Sequence, residues 1–322
     1  MQNAVLEQKS VEYMNNIHEY DYQVNNTNWE TTLYSPLRNY LLKTLMDNFD
    51  NSEKIHLVYI GVGPRAPLFQ NQQINNILLK RIREITLIDI SHDFIKSSKS
   101  LLEKISKNIP INIVQADITM GLAAKFDKII NKVFSNFRKH NLQDIADLVS
   151  QMEMDKNNHS LADLFNSQNI KSADLVYSEM VATFTGTPIM FALENKLRAI
   201  PDSDISHQDF LKSAYLAWQI FNDKSFDAQI NNYLSITNKQ GLIAISGDTQ
   251  KVFIDHEKSP IPTFFSNQEN FPTFTRNDIK LKASYAPIWW KDVSRDENID
   301  FHVGAHDQHA HKVAFNTYLR LS

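Results

Sequence analysis

The sequence predicts an α/β fold: a doubly wound, seven-stranded, mostly parallel sheet with a C-terminal antiparallel hairpin, a helical N-terminal arm and a helical insertion. Three observations carry that prediction. The apolar run His56-Leu57-Val58-Tyr59-Ile60 ends in the tight turn Gly61-Val62-Gly63. After a polar stretch of helical character, a second run, Leu87-Ile88-Asp89-Ile90, ends in a carboxylate. A third, Ile111-Asn112-Ile113-Val114-Gln115-Ala116, ends in Asp117-Ile118. Short apolar runs that alternate with helical stretches read as βαβ units laid into a parallel sheet.

Taken in order, residues 1–50 form the helical arm, and residues 51–322 form the α/β domain. In the arm, Leu33, Leu37, Leu41 and Leu45 recur every four residues, and Tyr40, Leu42 and Met46 widen the apolar face. Tyr20, Tyr22, Trp29 and Tyr34 precede that helix in a polar setting. They either pack the arm onto the body or, with Arg38, form a lid over a ligand. Strands are expected near residues 55–60, 85–90 and 111–116. More than fifty residues then separate Asp117 from the fourth strand, Ala173-Asp174-Leu175-Val176-Tyr177-Ser178. Phe126, Ile129, Ile130, Val133 and Phe137 keep helical spacing there, which predicts a helical insertion at about 121–170. A long helix at about 207–237 leads into a fifth strand, Gly241–Asp248. The last fifty residues alternate apolar and polar, as an antiparallel hairpin requires.

The glycine turn gives the chemistry. The first glycine permits a sharp strand-to-helix turn, and the second lets backbone approach a ligand closely. A carboxylate closing the next strand, Asp89, is placed to accept from ribose hydroxyls. A third glycine, which would let a helix N-terminus meet a pyrophosphate, is replaced by Arg65-Ala66-Pro67, so a nucleoside ligand without phosphates is favoured.

On Ile60-Gly61-Val62-Gly63, Asp89, Gln115-Ala116-Asp117-Ile118 and Ala173–Glu179, the chain resembles the class I S-adenosylmethionine-dependent methyltransferases, over roughly residues 30–120 and 172–250. The resemblance implies a Rossmann-like fold and S-adenosyl-L-methionine as cofactor. It also implies that Gly61 and Gly63 face the methionine moiety, Asp89 holds the ribose and Asp117 accepts the adenine amino group. Ile90 and Ile118 would sandwich the ring, and Tyr59 and Ser178 complete the cofactor set. The family often carries an acid two residues before the first glycine; here that residue is Tyr59, so the ligand's amino group needs another anchor.

Three segments bear on the methyl acceptor. Ser178-Glu179 directly follows the fourth strand, and strand carboxyl ends are where open α/β sheets bind ligands, so Glu179 is a candidate catalytic base. The Ser-Glu-x-x-x-x-Phe form is similar to the acidic loop of protein arginine methyltransferases. The second glutamate of that loop is missing, since Gly186-Thr187-Pro188 stands there instead. His302, His306, His309 and His311 make a second group. His302 is a candidate general base, a transition-metal site is an alternative, and a plain polar hairpin turn is another. No metal is assigned. Tyr285-Ala286-Pro287-Ile288-Trp289-Trp290 reads as core packing or as the floor of an apolar acceptor pocket.

Composition narrows the class. With 322 residues the chain can bury a large core, and its formal charge of −4 offers no electrostatic footprint for nucleic acid or an anionic membrane. The absence of cysteine rules out disulfides, thiolate zinc sites and a cysteine nucleophile. No run approaches the ~18 apolar residues of a membrane span, and the N-terminus lacks a signal-peptide layout. The expectation is a cytoplasmic methyltransferase acting on a small-molecule or protein acceptor. Two alternatives stay open. Gly61–Leu68 is faintly similar to the turn of nicotianamine synthases, which implies aminocarboxypropyl transfer from the same cofactor. A non-catalytic nucleotide-binding interaction module is the other.

Overall fold

A computed structural model describes residues 35–50, 52–63, 66–69, 72–106, 108–135, 143–155, 159–179, 185–198, 207–253, 276–291 and 309–322, with single positions or short groups at 7–9, 11, 181, 261–262, 264, 266–267, 271–272 and 274. The helices are α1 (Ser35–Asn48), α2 (Gln72–Leu78), α3 (His92–Ile105), α4 (Leu122–Ser135), α5 (Gln143–Ser150), α6 (Leu161–Ser167), α7 (Thr187–Arg198) and α8 (His207–Ile236). The strands are β1 (Ile55–Ile60), β2 (Ile82–Asp89), β3 (Ile111–Gln115), β4 (Ala173–Ser178), β5 (Thr237–Phe253), β6 (Ile261–Pro262), β7 (Ile279–Lys291) and β8 (His309–Arg320).

Seven strands run in the order β3-β2-β1-β4-β5-β8-β7, and the short β6 pairs with β5. The pairs β1–β2, β1–β4, β2–β3 and β4–β5 are parallel, whereas β8 is antiparallel to both β5 and β7. The predicted mostly parallel sheet with a C-terminal antiparallel hairpin is therefore what the chain forms. β5 is longer than the predicted Gly241–Asp248. Its continuation to Phe253 pairs Gln250–Phe253 with Lys312–His309 and meets β6 at Pro262 and Ile261, so partners distant in sequence extend it.

Period-two alternation sorts the strand residues between two cores. Leu57, Tyr59, Leu87, Leu175, Tyr177, Ala244 and Phe315 join Leu41 and Leu45 of α1 and Ile95 and Leu102 of α3. Val58, Ile60, Ile88, Val176, Ile243 and Ile245 face the other way, against Leu161 and Phe165 of α6 and Phe226, Ile230 and Tyr233 of α8. Helices thus cover both faces, as a sheet of buried parallel strands requires. β1 is buried along its whole length.

A third apolar cluster involves no strand. Phe126, Ile130 and Val133 of α4, Ile145 and Val149 of α5 and Ile189 and Leu193 of α7 close on Phe210, Ala214, Trp218 and Phe221 of α8. Phe126 and Phe221 stack at 4.5 Å. The 30-residue α8 therefore serves two cores, its N-terminal half in this helical cluster and its C-terminal half on the sheet. It stops abruptly: Thr237 Oγ1 donates to Tyr233 O at 2.6 Å, and β5 begins at Thr237. Among the described residues, no helix is long and apolar enough to cross a membrane.

Candidate functional site

The carboxyl ends of β3, β2, β1 and β4 lie side by side, and the turn after β1 meets the end of β2 and the chain after β4. Gly61 has φ +74° and Gly63 has φ +57°, conformations that side chains rarely adopt. Gly61 N–H donates to Ile88 O at 2.9 Å, which continues the β1–β2 ladder into the turn. A Cβ placed on Gly61 would fall 1.9 Å from Val181 Cγ2 and 3.3 Å from Glu179 O; one placed on Gly63 would meet nothing within 4 Å among the described residues. The first glycine is thus dictated by close packing against the chain after β4. The second has open space beside it. Ser98 of α3 donates to Gly63 O at 2.9 Å and fixes the turn from below.

Asp89 ends β2 and ties this turn to the next helix. Its Oδ2 accepts from Gly63 N at 3.2 Å and its Oδ1 from Ser91 N at 2.9 Å, while Ser91 Oγ caps α3. These bonds occupy two of the roughly four acceptor positions of a carboxylate, so further hydroxyl donors can be met. Burial pushes its pKa up to about 6, against the pull of those backbone N–H groups. A ligand that donates to Asp89 binds its ionised form. Affinity for such a ligand is expected to hold above pH 6 and to fall as pH drops through about 6; calorimetric titrations across that range check it.

The β3 end is built from its own turn. Asp117 Oδ1 accepts from Thr119 N at 2.9 Å and Thr119 Oγ1 at 2.6 Å, and Oδ2 accepts from Gly121 N at 3.1 Å. One acceptor position on Oδ2 is left by these bonds. Ile90 is half-buried and Ile118 is buried. Gln115 Nε2 donates to Ile90 O at 2.9 Å. A residue that sequence reasoning did not single out, Glu7, also reaches this edge. It accepts from His92 N at 3.0 Å and from Gln115 Nε2 at 3.3 Å, and Lys9 pairs with Asp127 of α4. No local pattern marks Glu7, whose partners lie 85 and 108 residues away. Tyr20, Tyr22, Trp29 and Tyr34 lie outside the described residues, whereas Arg38 is fully buried on α1.

At the end of β4 the pleat separates neighbours. Ser178 is fully buried on the α8 side, where its hydroxyl bonds Tyr233 Oη at 3.0 Å; Tyr233 donates to Gln229 Oε1, and Gln229 Nε2 donates to Ser225 Oγ. Ser178 is accordingly bound into the core rather than left open to a ligand. Glu179, one residue on, sits near Tyr59, Tyr177 and Arg38 on the α1 side and is 5% exposed. Tyr59 Oη donates to Glu179 Oε2 at 2.5 Å. Burial raises the Glu179 pKa, opposed by that hydrogen bond, by the charge of Arg38 and by the hydrogen-bonding Tyr177 phenol. Burial and the Glu179 charge hold the Tyr59 phenol well above its ordinary value, so it stays a donor. Among the described residues no well-aligned hydrogen bond reaches Glu179 Oε1.

Of the remaining predicted residues, His302 and His306 lie outside the described residues. The backbones of His309 and His311 belong to β8, opposite Phe253 and Lys251 of β5. Trp289 and Trp290 lie on β7, paired with Lys312 and His311. Among the described residues no group of His, Asp and Glu is arranged to hold a metal ion.

No protein-family model matches the chain, and no curated protein matches it. Solved structures that resemble it include magnesium protoporphyrin IX methyltransferase from Synechocystis PCC 6803 with bound SAH, at 8% identity and a TM-score of 0.43, over 99% of this chain and 100% of that one. N-methyltransferase NodS from Bradyrhizobium japonicum WM9 resembles it at 8% identity and a TM-score of 0.34, over 89% and 98%. An rRNA methylase from Streptococcus thermophilus does so at 6% identity and 0.34, over 88% and 95%. The strand order of the chain itself, with β8 antiparallel between β5 and β7, is that of the α/β methyltransferase fold.

Proposed function

We propose that this protein is an S-adenosylmethionine-dependent methyltransferase whose acceptor is a small molecule or a protein. One observation carries the reading. The Gly61–Gly63 turn and Asp89 are locked together at the carboxyl ends of adjacent parallel strands, with open space beside Gly63 and spare acceptor capacity on Asp89. A backbone cradle beside a carboxylate suits a nucleoside carrying a ribose diol and no phosphate.

The residues present fit the cofactor. Gly61 and Gly63 would let its methionyl arm lie against backbone, and Asp89 would accept from the ribose hydroxyls. Ile90 and Ile118 would bound the adenine, whose amino group can reach the remaining position on Asp117 Oδ2. Bound there, S-adenosylmethionine supplies an electrophilic methyl carbon on its sulfonium. The chain's task is then chiefly to align an acceptor with that carbon and to exclude water. Alignment alone is worth on the order of 7–11 kcal/mol in well-oriented systems. The rigid floor seen here, with both ends of the turn hydrogen-bonded to β2 and α3, serves that task.

The identity of the nucleoside product distinguishes this reading from its nearest rival. Incubation with S-adenosylmethionine and candidate acceptors, followed by chromatography, is expected to yield S-adenosylhomocysteine. Methylthioadenosine as the product would mean transfer of the aminocarboxypropyl group instead and would overturn methyl transfer.

A further inference from the structure

A phenol occupies the position two residues before the first glycine, yet a carboxylate lies against that phenol. It comes from the neighbouring strand. Glu179 N donates to Ile60 O at 3.3 Å, and Glu179 O lies 3.3 Å from where a Cβ on Gly61 would fall, so the β4 end and the glycine turn are in contact. Alternation along β4 sends Glu179 to the same sheet face as Tyr177 and Tyr59. There Tyr59 Oη holds Oε2 at 2.5 Å, the Tyr177 phenol and the Arg38 charge lie alongside, and Oε1 still makes no well-aligned hydrogen bond among the described residues, although Glu179 is 5% exposed. A buried carboxylate oxygen without a donor is unfavourable, and such an atom marks where an incoming N–H donor is stabilised.

We propose that Glu179, delivered by β4 and held by Tyr59 of β1, is the carboxylate that binds the α-ammonium group of the cofactor's methionyl end. This assignment rests on the reading that the cleft holds S-adenosylmethionine. It makes Tyr59 a positioning residue: its phenol fixes one carboxylate oxygen so that the other is presented. It also accounts for a carboxylate pinned by a short hydrogen bond in a closed setting, which suits fixed binding of a cation better than repeated proton exchange with an acceptor. Charge-assisted N–H···O⁻ bonds are among the stronger ones available to a protein.

The test compares two ligands on the full-length protein by calorimetry: S-adenosylhomocysteine, which keeps the amino-acid end, and 5′-methylthioadenosine, which lacks it. Glu179→Gln is expected to weaken S-adenosylhomocysteine about 10- to 100-fold while leaving 5′-methylthioadenosine unchanged. Tyr59→Phe is expected to move in the same sense by a smaller factor, again sparing the shorter ligand. Unchanged S-adenosylhomocysteine affinity in Glu179→Gln would overturn the assignment. So would an equal loss for both ligands, since that reports a damaged pocket rather than lost ammonium recognition. If the wild-type protein binds neither nucleoside, the reading of the cleft itself fails, and this assignment fails with it.

Discussion

Gly61→Ala is expected to destabilise this protein by several kcal/mol and to abolish nucleoside binding, whereas Gly63→Ala is expected to damage binding with a smaller loss of stability. Both glycines have positive φ, at +74° and +57°, so both substitutions carry the backbone penalty of about 1–2 kcal/mol. The difference lies in what surrounds them. A methyl on Gly61 would fall 1.9 Å from Val181 Cγ2 and 3.3 Å from Glu179 O, so the chain after β4 must shift. Overpacking of that kind adds about 1–3 kcal/mol. The shift also moves Glu179, hence its contact with Tyr59. On Gly63 the methyl meets nothing within 4 Å among the described residues, so the stability loss stays near the backbone penalty. Any ligand lying against that backbone would meet the methyl directly, and its affinity would fall by far more than the stability does. Thermal unfolding and calorimetry on the two variants check the pair. Equal unfolding temperatures for both would contradict the close packing at Gly61, and undiminished binding by Gly63→Ala would remove the ligand from that face.

Much of this arrangement is legible in the sequence because its determinants are local. β1, the glycine turn and Asp89 follow from apolar runs and turn chemistry within about thirty residues. The fold class follows from their alternation, and α8 from a long helical run. The position of Ser178 was within reach too, since a period of two from Tyr177 puts it on the opposite sheet face. The Asp117-Ile118-Thr119-Met120-Gly121 turn likewise announces a self-hydrogen-bonded aspartate. What the sequence hides is what sheet order decides. Tyr59 and Glu179 are 120 residues apart and meet only because β1 and β4 are adjacent strands. The extension of β5 past Asp248 depends on pairing with β8, and Glu7 reaches the β3 edge across 108 residues. Nothing periodic or local encodes such pairings.

Asp89→Ala is expected to weaken binding strongly with little effect on the fold. The carboxylate accepts from Gly63 N and Ser91 N and braces the turn, so its removal loosens the cradle and deletes the ribose partner together. Hydrogen bonds to a charged group contribute about 1.5–3 kcal/mol each, and a diol makes two, so the combined loss is about 100-fold or more. Part of the fold is relieved, because burial holds this carboxyl up at about 6 and its removal deletes a poorly solvated charge. Stability at neutral pH should therefore change little.

Whether the turn at Gly61–Gly63 and the carboxylate of Asp89 form an S-adenosylmethionine site is decided by isothermal titration of S-adenosylhomocysteine into the wild-type protein and Asp89→Ala. Micromolar binding by the wild type, lost in the variant with far-ultraviolet circular dichroism unchanged, is expected. Binding that persists undiminished in Asp89→Ala, or a wild-type protein that does not bind at all, would contradict it.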